Sequence, residues 1–153
     1  MPTKTLFWIS FFLLLFCPGL PLLFFASYLV ACSYRYQLVP TLWRALLVSL
    51  LVNLFSSSEA FGLLPLSTCL AVLLLSMHLR SFFADKWTTL PLMTYLFSLY
   101  VSLFTFLLMP FFGAPFSLSL RVLVTEILIA PLFDTLLAGI VVLFIKRQKK
   151  VAI

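Results

Sequence analysis

The chain has 153 residues, of which 64% are hydrophobic and 9% are charged, and its net charge is +6. Soluble domains carry about 45–50% apolar and about 25% charged residues, so this composition excludes an ordinary water-exposed protein surface. Backbone groups in lipid must pair within the protein, and the apolar runs here do not alternate with polar residues, which favours helices over a barrel. We therefore expect one all-α membrane domain over residues 1–153, because no stretch is polar enough to fold separately in water.

Apolar runs between the charged residues predict a bundle of about six transmembrane or re-entrant helices. In chain order these runs cover residues 6–17, 20–34, 42–55, 63–77, 90–109 and 118–145. The first two runs are short, since a membrane span needs about 20 residues. They leave open whether the chain begins with two spans or with a re-entrant hairpin.

The basic residues predict which side of the membrane each loop faces, because Lys and Arg near span ends favour the cytoplasm. With a hairpin at the start of the chain, Lys4, residues 35–44, residues 80–86 and the basic tail all fall on one face. Both termini are therefore expected in the cytoplasm. The tryptophans lie beside these basic residues, as an aromatic belt at one interface requires: Trp8, Trp43 and Trp87.

Polar residues inside apolar runs are the candidates for a functional site. Ionisable side chains in a membrane segment are costly and usually face the bundle interior or a cavity. Glu126 and Asp134 are eight residues apart, which places them on roughly the same helix face, and Pro131 between them predicts a kink. The sequence is compatible with a proton or cation path, and a hydrogen-bonded packing role is the expectation. Asn53, near the end of the third run, is the third candidate.

The chain shows no motif for catalysis, cofactor binding or metal binding. It contains no GxSxG, HExxH, P-loop or GxGxxG pattern, and its three cysteines form no CxxC pair. Its basic residues are scattered singly apart from the tail, which topology explains better than a nucleic-acid surface. We expect a non-enzymatic protein that uses no cofactor or metal ion, has the lipid bilayer as its surroundings and binds no nucleic acid.

Several features, taken in chain order, carry a family resemblance. They are residues 21–34, the basic residues of 35–44, the stretch LLVNLFSSS at 50–58 followed by Phe61-Gly62-Leu63, the basic loop 80–86, the segment 91–108 and the close on Lys146-Arg147. Over residues 20–150 this order resembles the rod shape-determining protein MreD family. Asn53 stands where the family has an acidic residue, the third segment has few glycines where the family is glycine-rich, and Glu126 and Asp134 are unusual for it.

The resemblance implies an inner-membrane scaffold of cell elongation that links peptidoglycan synthesis to cell shape. Its implied partners are an MreC-like coiled-coil membrane protein and cell-wall elongation enzymes. The family is similar in fold to the substrate-binding membrane subunits of energy-coupling-factor vitamin transporters, which supplies the alternative function. Such a subunit needs a polar cavity on the outer face, whereas the predicted outer loops are short and nearly uncharged. Small residues are expected to let helices approach closely: Ser98, Ser102, Ala138 and Gly139.

Overall fold

The computed structural model describes residues 2–16, 25–55, 61–82, 89–113 and 124–151. Within these ranges the chain is helical and contains no strand, which confirms the all-α prediction. The α-helices of the described part are α1, Pro2–Phe16; α2, Ala26–Arg35; α3, Leu38–Phe55; α4, Leu63–Phe82; α5, Leu90–Leu108; and α6, Ala130–Val151. A 3₁₀ turn, Met109–Phe112, follows α5, and a π-helical turn, Thr125–Ile129, leads into α6.

Two helical segments are long and apolar enough to cross a membrane: Leu38–Phe55, with 18 residues, and Leu90–Phe112, with 23 residues. Three further apolar helical segments are shorter: Thr3–Phe16, Leu63–His78 and Ile127–Ile140. A helix rises about 1.5 Å per residue and the hydrocarbon core of a bilayer is about 30 Å thick, so length separates the two groups. The longer pair are candidate membrane spans.

Proline lies close to the start of several helices. Pro40, Pro65 and Pro91 fall within the first three residues of α3, α4 and α5, respectively. The first turn of a helix has N–H groups without an intrahelical acceptor, so a residue that lacks an N–H is tolerated there. The predicted start of the third segment at residue 42 is therefore too late, because α3 begins at residue 38 and includes Pro40.

The bundle is organised around the short helix α2, which contacts each of the five other α-helices of the described part. Six of its ten residues are buried, and most of them are small, so neighbouring backbones can approach: Ala26, Ser27, Leu29, Val30, Ala31 and Cys32. The other large interfaces join helices that are neighbours in sequence, α3 with α4, α4 with α5 and α5 with α6. The main hydrophobic cluster accordingly contains side chains from all six helices.

The first two helices run in opposite directions. Lys4, at the start of α1, lines one cleft with Tyr36, which directly follows α2. Leu14, near the end of α1, packs in one cluster with Phe25, which directly precedes α2. Later residues of α1 thus lie beside earlier residues of the α2 region. This antiparallel pair excludes a single long first helix and brings the beginning of α1 to the end of α2.

Candidate functional site

Asp134 is the one acidic residue whose side chain belongs to the described part of the structure. It lies inside the bundle at the interface of α5 and α6, with 2% of its surface exposed. Its Oδ2 accepts a hydrogen bond of 2.7 Å from the hydroxyl of Ser98 on α5, and Ser98 is itself 1% exposed. Hydrogen bonds in such a low-dielectric interior are stronger than in water, so this pair is a specific link between the two helices.

The helix that carries Asp134 is irregular just before it. In the π-helical turn Thr125–Ile129, the N–H of Ala130 donates to the carbonyl of Thr125, five residues earlier. Pro131 follows as the second residue of α6 and removes an N–H that a regular α-helix would use. The disturbance predicted at Pro131 is therefore accommodated by a widened turn through which the helix continues, and such turns recur at functional sites.

The other two predicted polar candidates are placed differently. Glu126 belongs to the π-helical turn, and its side chain lies outside the described residues. Asn53 is buried near the end of α3, with 6% of its surface exposed, and within the described part of the chain its Nδ2 meets no hydrogen-bond acceptor. Because α3 packs mainly on α4, the structure places Asn53 and Asp134 on different helices and different principal interfaces.

A second hydrogen bond between helices lies on the buried face of α5. The hydroxyl of Thr105 donates to Ser67 Oγ on α4 at 3.1 Å, and both residues are buried. The sequence indicated Ser98 only as a small contact residue and gave no role to Ser67 or Thr105. For the two residues of α5, a signal is present in the sequence: Thr94, Ser98 and Thr105 recur at helical spacing, which places all three hydroxyl groups on one face. Helix α5 is thereby joined by hydroxyl groups to α4 and to α6.

A cleft of about 290 Å³ lies where α1 and α3 begin and α2 ends. Its lining combines two basic residues with aromatic rings and small groups: Thr3, Lys4, Phe7, Trp8, Tyr28, Cys32, Tyr36 and Arg44. The guanidinium carbon of Arg44 is 3.6 Å from the centre of the Tyr36 ring, and its Nη1 is 3.9 Å from the Cys32 Sγ. We call this feature the Lys4–Arg44 cleft. It was not anticipated from the sequence as a binding site.

The cleft lies among residues from which a membrane interface was predicted, namely basic residues with tryptophans beside them. Trp8 and Trp43 are 57% and 64% exposed, and they lie on α1 and α3, the two helices whose basic residues share the cleft. The first two basic sites assigned to one face thus lie at the same end of the bundle. Trp87, most of the loop 80–86 and the side chains of the basic tail lie outside the described residues.

In the described ranges, no group of three or more His, Cys, Asp or Glu side chains is placed to hold a metal ion. Comparisons of the chain with protein-family models, curated proteins and solved structures found no match.

Proposed function

We propose that the chain is a non-enzymatic scaffold of the bacterial inner membrane, built from six membrane-embedded helices with both termini in the cytoplasm. Its role is that of the MreD family, which its sequence resembles: it takes part in cell elongation and links peptidoglycan synthesis to cell shape. Its partners are an MreC-like coiled-coil membrane protein and cell-wall elongation enzymes. The work it does is binding within the bilayer.

The observation that carries this proposal is the apolar outer face of α6. Leu132, Leu136 and Leu143 are 48%, 62% and 67% exposed. With Gly139 they recur at intervals of four, three and four residues, the spacing at which one helix packs along another. Apart from the two chain neighbours of Gly139 and the adjacent backbone of its own helix, no described atom lies within 4 Å of the position that a Cβ on Gly139 would take, so a neighbouring helix has room to approach closely there.

The inner face of the same helix is occupied differently. Asp134 and Ala138 are buried against the bundle, and Asp134 is hydrogen-bonded to Ser98. The inner face of α6 therefore consists of polar and small residues that fix the helix to α5. Its outer face is apolar and available to a second membrane protein. This division of faces supports a lateral contact with a single-span partner.

Purification of the tagged full chain from membranes of its rod-shaped host, without ATP or added small ligand, tests the proposal. A single-span, coiled-coil protein should co-purify with it. Gly139→Leu places a bulky side chain in the outer face of α6 and should reduce recovery of that partner. Leu107→Phe enlarges a residue of α5 that is 61% exposed, about as much as Leu136 on α6, and serves as the control, which should leave recovery unchanged.

Depletion of the protein separates the scaffold from the vitamin-transporter alternative. Loss of a scaffold should cause cell rounding and misplaced wall synthesis. Loss of a substrate-binding transporter subunit should instead give an auxotrophy that is rescued by supplementing the medium. Restoration of both growth and shape by a vitamin alone would overturn the scaffold and favour the transporter subunit.

A further inference from the structure

We propose that the Lys4–Arg44 cleft binds the phosphate group of an anionic phospholipid headgroup. The cleft is formed by the beginning of α1, the end of α2 and the beginning of α3. This inference goes beyond the scaffold role and requires only that the chain reside in a membrane.

The charge of the cleft is the first argument. Lys4 and Arg44 both line it, and no carboxylate of the described residues does so. The one described acidic side chain, Asp134, is held by Ser98 at the interface of α5 and α6. Two like charges in one cleft repel each other, and an anion placed between them removes that repulsion.

The arrangement of Arg44 is the second argument. Its guanidinium group lies over the Tyr36 ring with its carbon 3.6 Å from the ring centre, so the ring holds this cation at the cleft. The N–H groups of a guanidinium are suited to a planar, two-point contact with phosphate oxygens. Among the described residues its hydrogen-bond acceptor is the thiol of Cys32 at 3.9 Å, and a thiol is a weak acceptor.

The surroundings of the cleft indicate a lipid as the source of the phosphate. Trp8 lines the cleft and is 57% exposed, as is typical of a ring at the level of the headgroups. Phe12 and Phe16, 55% and 80% exposed, continue from Trp8 at intervals of four residues along one face of α1. This aromatic stripe provides an apolar track for an acyl chain whose headgroup lies in the cleft. The basic residues also predict that this end faces the cytoplasmic leaflet, where anionic lipids make the surface potential negative.

Trp8 supplies a direct readout. The full chain is purified in a neutral detergent with Trp43→Phe and Trp87→Phe, which leaves Trp8 as the sole tryptophan. Dihexanoyl phosphatidylglycerol, dihexanoyl phosphatidylcholine and glycerol phosphate are titrated in parallel. The emission of Trp8 should change saturably with phosphatidylglycerol, and the other two compounds should give no saturable change over the same concentrations.

Variants assign the effect to the two basic side chains. Lys4→Gln and Arg44→Gln should each weaken phosphatidylglycerol binding about tenfold, the order expected for losing one charge-assisted hydrogen bond. Arg44→Lys keeps the positive charge and loses the planar guanidinium group with its paired N–H donors, so its affinity should lie between those of the parent and Arg44→Gln. Arg35→Gln removes the same charge from an exposed residue that does not line the cleft, and it should change the affinity far less than Arg44→Gln.

Three results would overturn the proposal or part of it. Equal binding of phosphatidylcholine, or unchanged affinity in Lys4→Gln, would rule out an anion site in the cleft; Lys4 is exposed, so its replacement leaves the fold intact even where an Arg44 variant does not fold. Glycerol phosphate binding as strongly as the lipid, with the same response to the variants, would overturn the lipid as the source and assign the cleft to a soluble phosphate. The assay contains no coiled-coil partner, so its outcome is independent of the scaffold role.

Discussion

The Ser98 hydroxyl lies 2.7 Å from Asp134 Oδ2, and this hydrogen bond joins the middle of α5 to α6. Both side chains are almost completely buried, so they are removed from water and stabilise each other instead. Removing one partner of such a pair leaves a buried polar group, which is more destabilising than the net value of the hydrogen bond. Substitutions of Asp134 can therefore distinguish a role in packing from a role that depends on titration of its carboxyl group.

Asp134→Asn keeps the shape and a hydrogen-bonding side chain while removing titration. A packing role predicts near-normal assembly for Asp134→Asn, whereas a proton role predicts normal folding with loss of function. Asp134→Leu should impair both assembly and function. It should lower the free energy of unfolding by about 1–3 kcal/mol, because the buried Ser98 hydroxyl then has an apolar neighbour. Unfolding in mixed micelles by a denaturing detergent measures the stabilities, and co-purification of the partner measures function. A fully stable Asp134→Leu variant would show that the pair does not hold α5 to α6.

Thr105→Val should weaken the contact between α4 and α5, because it removes the hydroxyl that donates to Ser67. Thr94→Val is the matched control: Thr94 is buried on the same helix, and its hydroxyl donates to the Leu90 carbonyl within that helix. Hydrogen bonds between membrane helices contribute about 0.6 kcal/mol on average, so Thr105→Val should be less stable than Thr94→Val by about that amount. Equal unfolding free energies would mean that the Thr105–Ser67 bond contributes nothing to packing.

Gly62 and Gly139 should respond in opposite directions to alanine. Gly62 has φ +95°, a left-handed conformation that an L side chain rarely adopts, and Gly62→Ala should cost about 1–2 kcal/mol. A Cβ at Gly62 would lie 3.6 Å from the Phe112 ring, an ordinary contact, so the cost comes from the backbone. Gly139 lies within α6, where alanine is the better helix former, and Gly139→Ala should stabilise by about 0.5–1 kcal/mol. Thermal unfolding in detergent distinguishes the two, and a stabilising Gly62→Ala would contradict this account.

The proposed topology rests on the positions of the basic residues and is tested by reporter fusions. Reporters placed after Lys150 and within residues 81–86 should both read cytoplasmic, and one within residues 56–59 should read periplasmic. A periplasmic carboxyl terminus would exclude the proposed arrangement of six membrane-embedded helices with both termini in the cytoplasm.

The positions of the helices could be predicted because apolar runs and turn residues are local signals. The third apolar run begins at residue 42, whereas α3 begins at Leu38, because a first helical turn accepts a proline such as Pro40. The partner of Asp134 could not be predicted, because Ser98 lies 36 residues away and no periodic pattern fixes how two separate helices rotate against each other. The distribution of basic residues along the chain predicted that Lys4 and Arg44 lie on the same side of the membrane. The stacking of Arg44 on Tyr36 depends on side-chain rotamers that the pattern does not encode.

The ten residues of α2 amount to about 15 Å of helix, half the depth of the hydrocarbon layer. A segment of this length has too little apolar surface to enter a bilayer by itself, yet in the finished protein it touches every other α-helix of the described part. During synthesis, α2 leaves the ribosome before α3, α4, α5 and α6, which form most of its surroundings. Its largest interface is with α5, so α2 acquires most of its packing contacts only after more than half of the chain has been made. The second helix to be translated is thus among the last to be fixed in place.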